Sequence, residues 1–133
     1  MDININSLQV SLIIYDLECD PDRLTEILEI NPTSVERKGD LNYAGNLRLE
    51  SSNAWELQSS LANENQLDKH VEHLISKVGN LFNLKKYSTT WGVKISCGIQ
   101  FHGGKSIPNL NLSEESIQQL ASIKCSIDID YYF

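Results

Sequence analysis

The chain has 133 residues, and its 18 acidic and 11 basic side chains give a net charge of −7 at pH 7. This length fits one domain over residues 1–133 and allows a core without disulfides or a structural metal. The acidic charge disfavours nucleic-acid binding, because phosphates are repelled. The same charge favours a basic protein partner.

The N-terminal residues and the cysteines indicate the cellular compartment of the protein. The first ten residues lack the basic and long apolar regions of a signal peptide, and the longest apolar run, residues 12–15, is too short to span a bilayer. Cys19, Cys97 and Cys125 show no CxxC spacing. We therefore expect a cytoplasmic protein with reduced thiols and no membrane association.

The N-terminal half predicts strands and one short helix. Residues 7–15 alternate apolar and polar side chains, which is typical of a half-buried strand. Asp20 and Pro21 predict a helix start, and Asn31-Pro32 its end. A short edge strand is expected at residues 35–38. A longer strand at 47–57, with Trp55 facing the core, is expected to carry a bulge at its polar residues 51–53.

A central helix is predicted from residue 67 onward. Asn65 is its expected N-cap, and Asp68 is expected to return a hydrogen bond. His70 and His73 are expected to face water. Its apolar stripe consists of Leu67, Val71, Leu74, Ile75, Val78 and Phe82.

The C-terminal third predicts a strand, a helix and a closing strand. The strand covers residues 93–101, and Ser113 is the expected cap of a helix whose apolar stripe is Ile117, Leu120 and Ala121. In the closing strand the expected inward residues are Cys125, Ile127, Ile129, Tyr131 and Phe133. The expected outward residues are Ser126, Asp128, Asp130 and Tyr132.

The predicted order is βαββαβαβ. Strands with one apolar face and helices with one apolar stripe favour an α+β fold, a two-layer sandwich. We expect a mostly antiparallel sheet with all helices on one face and a polar opposite face.

With these elements in place, the chain resembles the domain of unknown function 4279 family of bacterial proteins. The resemblance is carried by SLQVSLIIYD, DPDRLTEILEINPT, RKGD, NAWELQSS, LDKHVEHLISKV and LNLSEESIQQLASIKCSIDIDYY, in that order. It implies a small cytoplasmic α+β domain without an established activity, and members of such families are suspected to be immunity proteins paired with toxins. The family often has Leu-Gly where this chain has Glu29-Ile30, so the first helix is expected to close differently.

Two patterns resemble ligand sites and have simpler interpretations. Residues 103–106, GGKS, resemble the end of a phosphate-binding loop, but position 99 is Ile99 and Pro108 follows where a helix should begin. A glycine turn is therefore favoured. His70 and His73 lie three residues apart, but a tetrahedral metal site needs three or four ligands, so solvated histidines are favoured and no cofactor is expected.

Asp128 and Asp130 are the candidate functional residues. On one strand face they can bind a divalent cation or act as an acid/base pair, or they can simply keep a polar face soluble and discourage edge pairing. As part of a partner surface they would be joined by outward residues of neighbouring strands, namely Tyr132, Lys94, Gln100, Glu50 and Glu56.

The function favoured by the sequence is a non-enzymatic protein-interaction module. Its most concrete form is an immunity-type protein that neutralises a basic toxin through an acidic sheet face formed by Asp128, Asp130, Tyr132, Glu50 and Glu56. The alternative is a small-ligand or metal-binding domain with possible hydrolytic activity, using Asp128, Asp130 and His102. Both are hypotheses about the same surface, and they differ in the class of ligand.

Overall fold

The structure is a computed structural model that describes residues 8–39, 52–78, 86, 91–100 and 108–132. Its elements are β1 (Leu8–Leu17), α1 (Pro21–Leu28), β2 (Ser34–Glu36), β3 (Asn53–Gln58), α2 (Leu67–Lys77), β4 (Gly92–Gln100), α3 (Glu114–Ser122) and β5 (Cys125–Tyr132). These described elements follow the predicted order βαββαβαβ.

The five strands form one sheet in the order β2-β3-β1-β4-β5. β1 lies at the centre and runs antiparallel to both β3 and β4, and β2 runs antiparallel to β3. β4 and β5 are parallel, since α3 carries the chain from one to the other. The predicted α+β class with a mostly antiparallel sheet is confirmed.

All three described helices pack against one face of the sheet, which we call the inner face. Leu24 and Leu28 of α1 and Val71 of α2 are fully buried against it. Trp55 of β3 is also fully buried, and its Nε1 donates to Thr25 Oγ1 at 3.1 Å. This bond satisfies the one polar atom of the side chain, as a buried indole requires. The sequence prediction for Trp55 is confirmed.

The start of α1 agrees with its sequence signals. Asp20 is the N-cap and accepts from the Asp22 N–H at 2.9 Å, and Pro21 holds the first helical position. Arg37, which follows β2, binds Asp20 Oδ2 at 3.2 Å and Asp22 Oδ1 at 2.8 Å. The backbone bond from Asp22 and the Arg37 guanidinium hold the pKa of Asp20 below its ordinary value. The edge strand β2 is thereby tied to α1.

Helix α1 does not end on a glycine C-cap. Glu29 is the C-cap, in the left-handed region with φ 58°, and its N–H donates to the Thr25 carbonyl at 2.9 Å. A residue with a Cβ costs more than glycine in this conformation. The helix thus ends on a left-handed Glu29, and Ile30 is not among the described residues with a positive φ.

The start of α2 corrects one prediction. Gln66, and not Asn65, is the N-cap, and its side chain makes no capping bond. Instead the Leu67 N–H donates to the Asn109 carbonyl at 2.9 Å, so the segment before α3 satisfies a free N–H of α2. The capping-box rule failed because a distant backbone supplied the acceptor.

Asp68 links the starts of α2 and α3. Its Oδ1 accepts from the Ser113 N–H at 3.0 Å and from the Ser113 hydroxyl at 3.2 Å. Burial alone would raise the pKa of the Asp68 carboxyl, but the hydrogen bonds from Ser113 and Ser116 outweigh it, and the pKa lies below the ordinary value. The carboxylate therefore fixes two helices relative to one another.

The buried stripe of α3 is rotated from the predicted one. Ser113 is the cap as predicted, and Leu120 is buried. The predicted Ile117 and Ala121 are exposed, whereas Ser116 is buried. The small Ser116 faces inward because it approaches the Asp68 link closely, and apolarity alone therefore misplaced the helix face.

Two details of the strands also differ from the predictions. The irregularity near residues 51–53 belongs to β1: Ile14 pairs with Trp55 and Leu17 with Asn53, so β1 holds the extra residue. In β5 the predicted inward residues Ile129 and Tyr131 are 37% and 56% exposed. The alternation there is as predicted, but the end of β5 extends beyond the helices. Phe82 and Phe133 lie outside the described residues.

No helix within the described ranges is long and apolar enough to cross a membrane.

Candidate interaction surface on the outer face of the sheet

The side of the sheet that faces away from the helices is the outer face. Alternate residues of each strand point to this side, so the pairing register determines which of them are neighbours. Across β3, β1 and β4 the register aligns Glu56 with Ile13 and Ile13 with Lys94. The described outer-face residues are Ser34, Glu36, Ala54, Glu56, Gln58, Gln9, Ser11, Ile13, Tyr15, Gly92, Lys94, Ser96, Gly98, Gln100, Ser126, Asp128, Asp130 and Tyr132.

Carboxylates dominate the charge of the outer face. Glu36 and Glu56 lie on β2 and β3, and Asp128 and Asp130 lie on β5. Three strand spacings separate β3 from β5, which is about 14 Å at about 4.8 Å per strand. Within the five described strands, Lys94 is the one basic side chain on this face. The face is therefore acidic at both sides of a single central cation.

Lys94 lies between an aromatic ring and a carboxylate. Its Nζ is 3.4 Å from Asp128 Oδ2 and 5.2 Å from the centre of the Tyr15 ring. The Asp128 side chain is 57% exposed, so water screens this ion pair and its contribution to stability is small. The ion pair orients Lys94 toward β5. Lys94 is therefore directed away from the acidic residues of β2 and β3.

Glycines let two tyrosines lie flat on the outer face. The Tyr15 ring packs directly over Gly92, where an added Cβ would collide with it. At the other end a Cβ added at Gly98 would lie 3.3 Å from the Tyr132 ring. Tyr132 is nonetheless 56% exposed. Aromatic rings held in this way offer rigid contact area at both ends of the face.

A shallow groove of about 390 Å³ lies between β2 and β4 on the outer face. Its walls include Ile13, Tyr15, Ser34, Glu36, Glu56 and Lys94. The charged side chains that line the groove are Asp16, Glu36, Glu56 and Lys94, so the groove suits a cationic group better than an anionic one.

Four of the five residues predicted for the site lie on this face. Asp128, Asp130 and Tyr132 are neighbours along β5, and Glu56 lies three strands away. Glu50 lies outside the described residues, as do His102 and the glycine turn at 103–106.

Sequence reasoning missed two residues of this surface. Glu36 lies on a three-residue strand, which is too short to show an alternation. Tyr15 shares its parity with Ser11 and Ile13, so the alternation of β1 contained the signal, but the aromatic ring gave no indication that it packs over Gly92.

The histidines of α2 differ from each other, and one corrects a prediction. His70 was expected to face water but is 1% exposed. Its Nε2 lies 2.8 Å from the Glu64 carbonyl, which can only accept, so Nε2 carries the proton; Nδ1 lies 2.7 Å from Ser59 Oγ. His70 is therefore a core residue whose ring nitrogens are both hydrogen-bonded, a role that apolar spacing does not reveal.

His73 is half-buried at the side of α2, with Nε2 2.9 Å from Ser60 Oγ. Burial, followed by the charges of Lys77 and His70, lowers the pKa of His73 below its ordinary value. Among the described residues, no three His, Cys, Asp or Glu side chains are grouped closely enough to hold a metal ion.

The cysteines of the C-terminal strands are poor nucleophiles. Burial raises the pKa of Cys97 to about 11 and that of Cys125 to about 12. Since the thiolate is the reactive form, both thiols are unreactive near neutral pH. They pack as small apolar residues on the inner face.

Comparisons with known proteins place the chain in a family. No match was found among the curated proteins or the solved structures. The family model described as "Domain of unknown function (DUF4279)" matches residues 5–133, which is nearly the whole chain. The chain therefore belongs to the DUF4279 family.

Proposed function

We propose that the chain is a non-enzymatic protein-interaction module of the immunity type, which binds a basic toxin in the cytoplasm through the outer face of its sheet. The observation that carries the proposal is the grouping of Glu56, Asp128, Asp130 and Tyr132 on the face that the described helices leave uncovered. Glu36 adds a fifth polar contact on the same side.

The charge distribution supports a basic partner. Four carboxylates surround one cation on the described outer face, and the whole chain carries −7. Such a field accelerates encounter with a basic surface and rejects an acidic one. Tyr15 and Tyr132 lie among the carboxylates, and tyrosine is enriched in the residues that carry most of the energy of an interface.

The test is an affinity pull-down of the tagged protein from its source cells, with mass spectrometry of the retained proteins. Wild type is compared with the variant Asp128→Lys, Asp130→Lys. The matched control is Glu26→Lys, Glu72→Lys, which changes the net charge equally at exposed positions of α1 and α2. Far-UV circular dichroism checks that each variant is folded.

We expect a basic protein that is retained by the wild type and by the control and is lost from the β5 variant. Retention by all three proteins would contradict the outer face as the binding surface. Retention of no basic protein by the wild type would contradict the interaction function itself.

A small-ligand site is the second candidate function, and the groove beside Tyr15 and Glu56 is the observation that favours it. Its volume of about 390 Å³ falls within the range of small-molecule sites. A ligand that raises the melting temperature of the wild type but not of Glu56→Gln would favour this function over the first.

A further inference from the structure

The two edges of the sheet differ in length. β2 forms one edge with three residues, and its end is fixed to α1 through Arg37. β5 forms the other edge with eight residues, and within the described residues it pairs only with β4. Among the described residues no strand pairs with the far side of β5, and an edge of this kind is the usual template for adding a strand.

The side chains of β5 differ between its two faces. On the outer face the strand carries Asp128 and Asp130, both exposed. On the inner face Ile127 is half-buried, but Ile129 is 37% exposed. An added strand would therefore meet carboxylates on one side and the exposed apolar side chain of Ile129 on the other.

A second copy of the chain fits this edge poorly. Two β5 strands related by a two-fold axis at Ile129 would place Asp128 of each copy opposite Asp130 of the other. Like charges directly opposite one another destabilise a strand pair. The two aspartates thus oppose self-association and leave the edge for a strand of opposite charge.

We propose that β5 receives an extended segment of a partner protein, in which lysine or arginine alternates with apolar residues. The cations would lie opposite Asp128 and Asp130, and the alternating apolar residues would cover Ile129. Backbone hydrogen bonds supply affinity in this mode, and the alternating side chains supply specificity. The inference rests on the proposed interaction function and specifies how the partner binds.

The two aspartates contribute unequally. Asp128 already has a cation beside it, since Lys94 Nζ is 3.4 Å away. The register places Gly98, which has no side chain, next to Asp130. A cation from the partner therefore gains more at Asp130 than at Asp128.

The test uses the acetylated, amidated peptide Thr-Val-Lys-Val-Lys-Val-Thr, with binding measured by calorimetry. Two further peptides are N-methylated at the odd or at the even backbone nitrogens, so that each removes the donors of one side of the strand. We expect one methylated peptide to lose at least about tenfold in affinity and the other to change little.

Protein variants locate the binding site of the same peptide. Asp130→Asn should lower its affinity by about two- to fivefold, and Asp128→Asn by less. Glu26→Gln is the matched control, because it removes a carboxylate from an exposed position of α1, away from the outer face. It should leave the affinity unchanged.

Equal binding of both methylated peptides, or an equal loss in Glu26→Gln and Asp130→Asn, would overturn strand addition without bearing on the outer face as a binding surface. No binding of the parent peptide at millimolar concentration would overturn strand addition as well. The pull-down then decides the proposed function separately.

Discussion

Neighbouring residues of β1 show how the two faces of the sheet differ. Leu12 faces the helices and is 3% exposed, whereas Ile13 faces the outer groove and is half-buried. On the inner face β1, β3 and β5 pack against helices, so the side chains there are constrained by volume and polarity. On the outer face the described strands meet none of the described helices, so packing constrains those side chains less. The inner face determines the fold, and the outer face is where function is expected.

The largest expected effect on stability comes from two adjacent residues of β3, one on each face of the sheet. Trp55→Ala should lower the free energy of unfolding by about 3–5 kcal/mol, because it leaves a cavity in the core and removes the partner of Thr25. Glu56→Ala, on the opposite face, should change it by no more than about 0.5 kcal/mol. Urea unfolding measures both. A loss above about 2 kcal/mol in Glu56→Ala would contradict the division between the faces, since exposed sites rarely reach that value.

The inner face was predictable from the sequence, because buried apolar residues recur with the spacing of a strand or a helix. The apolar alternation of β1 and the spacing of Leu67, Val71 and Leu74 placed these residues correctly, since each must avoid water. Where a polar residue is buried because it forms a specific hydrogen bond, the spacing of apolar residues wrongly assigns it to the surface. His70 and Ser116 are the examples, since His70 binds the Glu64 carbonyl before α2 and Ser116 binds the cap residue Ser113.

The candidate site was predictable only along one strand. Asp128, Asp130 and Tyr132 share the alternation of β5, so their common face followed from sequence. Their relation to Glu56 and Tyr15 depends on β1 and β4 lying between β3 and β5, and local periodicity contains no information on strand order. The exposure of Ile129 also depends on where the helices end, which is a property of packing.

Two aspartates give the next comparison, one at the start of α2 and one on the outer face. Asp68 accepts hydrogen bonds from Ser113, whereas Asp128 forms an exposed ion pair with Lys94. Asp68→Asn should lower the free energy of unfolding by about 1–2 kcal/mol at pH 7, because bonds to a charged acceptor are stronger. Asp128→Asn should change it by about 0.5 kcal/mol or less.

The pH dependence separates these two variants further. The pKa of Asp68 in the folded protein lies below its ordinary value of 3.8. Its contribution is therefore complete above the unfolded pKa and is lost as the pH falls through the folded pKa. Urea unfolding from pH 7 to pH 2 should show the difference between wild type and Asp68→Asn shrinking below about pH 4. A difference that stays constant over this range would mean that the charge of Asp68 contributes nothing.

The smallest expected effect concerns an exposed residue that acts through the backbone. Glu29 packs on neither face, but it holds the left-handed conformation that closes α1, with φ 58°. Glu29→Gly should raise the free energy of unfolding by about 0.5–1 kcal/mol, because glycine adopts this conformation without a clash. The gain is limited because glycine loses more entropy on folding. Glu29→Ala is the matched control: it removes the carboxylate and keeps the Cβ. An equal gain in both variants would assign the effect to the carboxylate at the negative end of the helix dipole and not to backbone strain.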